Sequence, residues 1–237
     1  DEVAYYATAL SDAQILAHYQ NGTNASPATP YDTLILSDSP IEYLRLNEPA
    51  AVPPVVNSGT LGGPFDGTYG GDITPNTIGP RPPAQPGLES DNIAVAMTNG
   101  YTTSPVLPLN TNTVTVVCWL KPETVPTGGD IGWPAFLGLG NGLGATGMHI
   151  ENSGGRPQRE LRYHWNGGNW GWGSGLIVPA DTWTFCAMVV EPDKATFYMS
   201  DGDTLLSSVN NTTHAALDLA TPPGFGGNQS ASRTYIG

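Results

Sequence analysis

Short runs rich in apolar and β-branched residues recur along this chain, several of them alternating with polar ones, and Gly, Pro, Asn and Asp break them up. A period of two is the mark of a strand with one face buried. The clearest run is VTVVCWLKP (114–122), rich in β-branched residues and stopped by a proline. Strands are also predicted at EVAYY (2–6), IEYLRLNE (41–48), FDGTYGG (65–71), IAVAM (93–97), AFLGLG (135–140) and MHIE (148–151). Others are LRYHWNGGNWGWG (161–173), TWTFCAMVVE (182–191), ATFYMSDGD (195–203) and the beginning of one at TYIG (234–237). Within 161–173, Asn166-Gly167-Gly168 supplies the positive φ values of a hairpin turn. Asp201-Gly202-Asp203 is a second hairpin signal.

One segment has a helical pattern. Ser11 caps it, Gln14 completes a capping box, and Ile15, Leu16 and Tyr19 give it an apolar side. Gly22 is read as its end, in the left-handed conformation common there. Residues 23–30 (TNASPATP) have the composition of a linker, and Tyr31–Leu36 is a short apolar turn or helix. The whole reads as all-β, a two-sheet antiparallel sandwich or jelly roll with one short N-terminal helix.

Composition narrows this. With 237 residues the chain can bury a sizeable core, and its 30 glycines and 22 prolines suit many turns. A net charge of −13 with only two lysines, Lys121 and Lys194, argues against a nucleic-acid partner, which needs clustered cations. No apolar run approaches the roughly 18–20 residues of a membrane-inserting helix. Sparse lysine with abundant Ser, Thr, Asn and Gly points to an extracellular or surface-displayed protein. Asn-x-Ser/Thr sequons stand at Asn21, Asn24, Asn210, Asn211 and Asn228, in a chain whose composition also makes such triplets by chance.

The two cysteines occupy similar strands. Counting by twos sets Cys118 with Val114, Val116 and Leu120, and Cys186 with Met188 and Val190, so both thiols point into the apolar layer. Whether they form a disulfide or remain two inert thiols depends on whether the strands are neighbours, which the sequence does not show.

The order of IEYLRLNE, NSG…DGTYGG, VTVVCWLKP, DTWTFCAMVVEPDKATFYMSDGD and TYIG resembles the laminin-G-like group of the concanavalin A-like lectin/glucanase superfamily. DEVAYYATALSDAQILAHYQNG (1–22) is similar to the pattern with which such domains end. The resemblance therefore implies a rotation: 1–22 as the closing strand and helix of a preceding or neighbouring copy, 23–30 as linker, and 31–237 as the sandwich. It implies partners in the form of further copies, joined through 1–22 or as adjacent tandem repeats. It also implies one structural calcium, with Asp66 and Gly67 of the FDG turn and Asp1 as ligands.

Function has to come from the site, because this superfamily includes lectins, adhesion modules, glycosidases and phage structural domains. Glycoside hydrolysis needs two carboxyl groups across one bond, and no strand here carries acids at alternate positions as the relevant glucanases do. No Ser-His-Asp spacing or phosphate-binding loop stands out. The chain is read as no enzyme. For a glycan, Tyr163, His164, Trp165, Asn166, Trp170 and Trp172 combine rings for stacking with groups for hydroxyls. The competing reading is that alternation sends one set of these rings into the sandwich. The expectation is a non-catalytic extracellular repeat serving adhesion or assembly. A calcium-assisted carbohydrate-binding module is the alternative, and a phage decoration or fibre domain is a third.

Overall fold

The computed structural model describes residues 1–50, 54–97, 100–122, 132–139, 145–151, 159–165, 172–219 and 222–226. The hairpin turn at Asn166-Gly167-Gly168, Asn228 and the TYIG segment lie outside these residues.

Seventeen strands follow one another along the described chain. They are β1 (Val3–Tyr6), β2 (Glu42–Leu44), β3 (Thr68–Gly70), β4 (Ile73–Ile78), β5 (Ile93–Met97) and β6 (Tyr101–Thr103). Next come β7 (Asn110–Thr111), β8 (Val114–Leu120), β9 (Gly132–Leu139), β10 (Ala145–Glu151), β11 (Glu160–His164) and β12 (Trp172–Ile177). The last are β13 (Thr184–Glu191), β14 (Lys194–Asp201), β15 (Thr204–Asn210), β16 (Leu217–Asp218) and β17 (Gly224–Gly226). Two helices, α1 (Asp12–Thr23) and α2 (Tyr31–Ser37), lie between β1 and β2.

A six-stranded sheet in the order β15-β14-β13-β8-β1-β2 faces a seven-stranded sheet in the order β12-β11-β10-β9-β17-β6-β3. The paired strands are antiparallel, so the sandwich read from the sequence is the architecture found. Between the sheets lies a core that includes Val3, Tyr5, Val116, Cys118, Met148, Leu161, Tyr163, Met188 and Phe197.

The six-stranded sheet is buried on its second face as well. Ala4, Tyr6, Val117, Trp119, Phe185 and Tyr198 point away from the sandwich and pack with Ile15, Tyr19, Tyr31 and Ile35 of the helices. That is why VTVVCWL is buried at every position instead of every second one: each side chain has a layer to enter.

Helix α1 begins as expected, with both halves of the Ser11–Gln14 capping box present. Its end is different. Gly22 lies inside the last turn, and the chain leaves the helix at Asn24 in an extended conformation. What requires glycine at position 22 is packing, because a Cβ there would stand 2.7 Å from Trp119 Cζ2.

Segment 1–22 packs into its own domain. β1 lies between β2 and β8, with Ala4 opposite both Tyr43 and Val117. The hydroxyl of Thr115 donates to Thr8 O at 2.8 Å and accepts from Leu10 N at 2.9 Å, and Tyr19 OH donates to Gly202 O at 3.1 Å. So placed, the segment leaves no vacant strand position between β2 and β8. No helix among the described residues is long and apolar enough to cross a membrane.

Candidate functional site

Strand β11 separates two kinds of residue by alternation. Leu161 and Tyr163 point between the sheets, and Trp165 follows on the same side. Tyr163 is 0% exposed and Trp165 1% exposed. Tyr163 OH shares a 2.8 Å hydrogen bond with His214 Nε2 and accepts from Asn210 Nδ2 at 2.8 Å, which ties β11 to the last residue of β15 in the facing sheet. Trp165 Nε1 donates to Ala215 O at 2.8 Å. Trp172 packs against the same core, stacked on Phe197 with ring centroids 6.0 Å apart.

The aromatic platform is therefore corrected for Tyr163 and Trp165, which fill the sandwich and present no face for a ligand to stack on. Trp172 is partly buried, with one ring face against Phe197. Asn166 and Trp170 lie outside the described residues. Of the six predicted ligand residues, His164 is the one the described structure turns to the other side.

That other side is polar. Glu160, Arg162 and His164 alternate along β11, and His149 of β10 stands opposite Arg162. The His149 and His164 rings meet edge-on, 4.5 Å between centroids. Arg162 bonds Glu160 through Nη2 and Oε2, and Glu160 Oε1 accepts from Gly175 N at 2.8 Å. Glu160, Arg162 and His149 are 4%, 6% and 2% exposed, and His164 is half-buried at the open end.

Glycines flank this row. Gly147 of β10 is opposite His164, and Gly173 of β12 is opposite Arg162. A Cβ at position 173 would come within 2.5 Å of Glu160 Oε1 and 2.9 Å of Arg162 Nη2. The carboxylate–guanidinium pair thus lies across β12 where that strand has no side chain. The result is a polar row on the side of the seven-stranded sheet away from the core, buried except at His164.

The residues expected to bind calcium take part in hydrogen bonds made by the protein. Asp66 Oδ1 accepts from Asn57 N at 2.8 Å, and Gly67 exchanges both backbone groups with Val55. Asp1 Oδ2 accepts from Asn92 Nδ2 at 2.8 Å. Calcium takes about six to eight oxygens, and among the described residues no group of three or more His, Cys, Asp or Glu could hold a metal.

Cys118 and Cys186 stand directly opposite each other on β8 and β13, both in the core, as free thiols. Burial pushes the Cys118 thiol up to about 12 and the Cys186 thiol well above its ordinary value.

With the sandwich and its two faces described, the family can be assigned. A laminin G-type family model, described as concanavalin A-like lectin/glucanases superfamily, matches residues 96–237, more than half of the chain. The chain belongs to this family. Among solved structures, this laminin G-type sandwich is similar to domain 4 of AbnA, a GH43 extracellular arabinanase from Geobacillus stearothermophilus, in complex with arabinotriose. The identity is 15%, the match covers 73% of this chain and 88% of that one, and the TM-score is 0.40. No curated protein matches the chain.

Sequence reasoning missed Glu160, Arg162 and His149. The signal was present: Glu160, Arg162 and His164 occupy alternate positions, the same count that sends Leu161 and Tyr163 inward. Weight given to the rings hid it.

Proposed function

We propose that this laminin G-type sandwich is a non-catalytic binding module for a glycan, with its site at the half-buried His164 on the outer face of the seven-stranded sheet, held in place by the buried row of Arg162, Glu160 and His149 behind it. The observation that carries this reading is the polar row on β11 and β10 set opposite glycines on the flanking strands. Few, fixed polar groups suit recognition of hydroxyls, because they specify orientation without being reordered by the ligand. Glycine at 147 and 173 removes side chains that would otherwise stand beside the row.

The non-catalytic part rests on Glu160. Both its oxygens already accept hydrogen bonds, from Arg162 and from Gly175 N, so it is engaged as an acceptor and not placed to deliver a proton. An extracellular or surface-displayed setting belongs to the same reading and is supported by the sparse lysine content. A glycan array spanning neutral, uronic and sulfated sugars, read for wild type and His164→Ala, tests it. Binding that the variant loses supports the reading; no binding to any glycan, or release of reducing sugar, overturns it.

A second reading is a repeat that serves adhesion or assembly, favoured by the way 1–22 docks as one unit of strand and helix before a largely exposed linker. The same unit from another copy would fit the same position between β2 and β8. Light scattering over a range of concentrations tests it, and a monomer throughout would contradict it. A structural calcium is a separate proposal centred on Asp1, whose Oδ1 is buried without a hydrogen-bond partner. A rise in Tm on adding calcium, reversed by chelation, is its test.

A further inference from the structure

We propose that Cys118 and Cys186 are a covalent cross-linking site, joined as a disulfide between β8 and β13 when the chain folds in an oxidising compartment. The inference stands apart from the glycan reading and fails or holds without it. It begins with register. The seven residue pairs of β8 and β13 run without a shift from Thr184↔Leu120 to Val190↔Val114, and Cys186↔Cys118 is the third of them. Directly opposite residues of antiparallel strands stand about 4.5–5.5 Å apart at Cα, inside the roughly 4.4–6.8 Å range that disulfides span. Both side chains enter the same core, so their Cβ atoms are on the same side of the sheet. The chain holds only these two cysteines, so each has one intramolecular partner.

The type of pairing adds a second property. Trp119 exchanges both backbone bonds with Asp1, at 2.9 Å each, so its N–H and C=O point away from β13. The preceding residue, Cys118, therefore directs its backbone groups toward β13, which makes Cys118–Cys186 a hydrogen-bonded pair. This is the wider of the two antiparallel pair types, about 5.5 Å at Cα. That spacing is close to the commonest disulfide value of about 5.5–6 Å, so a bridge there asks for little movement of the two backbones.

Timing follows from burial. Both thiols are fully enclosed in the folded chain, and attack on a disulfide requires a thiolate that the oxidant can reach. The bond therefore forms while β8 and β13 are associating, before the sandwich closes over them. Each thiol gives up one proton and one electron. The acceptor of the two electrons is a disulfide of the compartment, such as glutathione disulfide or an oxidoreductase disulfide, which leaves as two thiols. Once closed, the core shields the bridge from reductant until the sheet opens.

The test uses the full chain made in an oxidising compartment and, separately, in a reducing one. Intact mass is read under denaturing conditions without reductant. The oxidised protein should be lighter by two hydrogens and give one cross-linked peptide carrying both cysteines. Its Tm should be about 5–10 °C above that of the reduced protein. Cys118→Ala should abolish the mass difference; should that variant fail to fold, the comparison of the two wild-type preparations still decides. Two titratable thiols in unfolded protein from the oxidising compartment would overturn the proposal. So would disulfide-linked dimers in place of the internal bridge.

Discussion

Arg45 donates from Nε to the buried Glu2 carboxylate at 2.9 Å, and this contact fastens the first strand of the chain to the segment just after β2. Tyr43 OH donates to the other Glu2 oxygen. The same guanidinium reaches Glu89 at 2.9 Å and Asp32 at 3.8 Å, so one side chain joins the chain's start, α2 and the turn-rich region before β5. Burial pushes the Glu2 carboxyl up and Arg45 pulls it back. Removing one partner of a buried pair leaves an uncompensated charge. Arg45→Ala should therefore cost about 3 kcal/mol in urea unfolding. Arg45→Lys should recover only part of it, because an ammonium cannot reproduce the fork that serves three carboxylates.

Glu42 predicts a loss of stability with rising pH. It stands opposite Tyr5 and is fully buried. Burial raises it from 4.5 to about 7, with Ser104 pulling the other way. A raised folded value means the folded state holds the proton longer. The stability it contributes is complete below the unfolded value of 4.5 and lost as pH rises through about 7. The loss should approach about 3 kcal/mol at pH 8. Unfolding free energies from pH 5 to 8 check this, and Glu42→Gln should remove that part of the slope.

His18 works in the opposite sense. Burial lowers it, although Asp38 accepts from Nε2 at 2.7 Å and opposes the shift. The folded state therefore holds this proton less well than the unfolded chain. Its contribution is present above the ordinary imidazole value of about 6.5 and is lost as pH falls through the lower folded value. An NMR titration should place the His18 midpoint below that of an unfolded-chain histidine. A midpoint above it would mean that Asp38 outweighs burial.

Gly22→Ala should separate α1 from Trp119. The added methyl would meet the indole at 2.7 Å, and Trp119 is fixed by its 3.0 Å bond to Tyr31 OH and by the Phe185 ring. Overpacking of this kind costs about 1–3 kcal/mol. Near-ultraviolet dichroism should change along with Tm. A large stability loss with an unchanged aromatic signal would show that the helix end, not the packing, needs glycine.

Strands with a layer on each face were plain in the sequence. VTVVCWL and TFCAMVV are apolar but for one threonine each, and they are β8 and most of β13. The Asp201–Asp203 hairpin was equally legible, since Gly202 takes φ 57° between β14 and β15. β15 was not, because an edge strand reading TLLSSVN is mostly exposed or half-buried and shows no consistent alternation. IEYLRLNE promised eight strand residues and supplies three, since Leu46 adopts φ 57° and ends the extended run. At the proposed site, the sequence did not show that Tyr163 and Trp165 turn into the core. Aromatic residues drew attention to Tyr163 and Trp165, whereas facing direction depends on which sheet covers β11, and that is long-range information.

The central claim is the division of β11 into a core face and a binding face. The most direct test measures glycan affinity and Tm together for His164→Ala and Trp165→Ala. The account predicts that His164→Ala keeps its Tm within a few degrees and loses glycan binding. Trp165→Ala should lose about 3–5 kcal/mol of stability, while any fraction still folded binds as the wild type does. The reverse pattern, with binding lost in a fully stable Trp165→Ala and intact in His164→Ala, would contradict it.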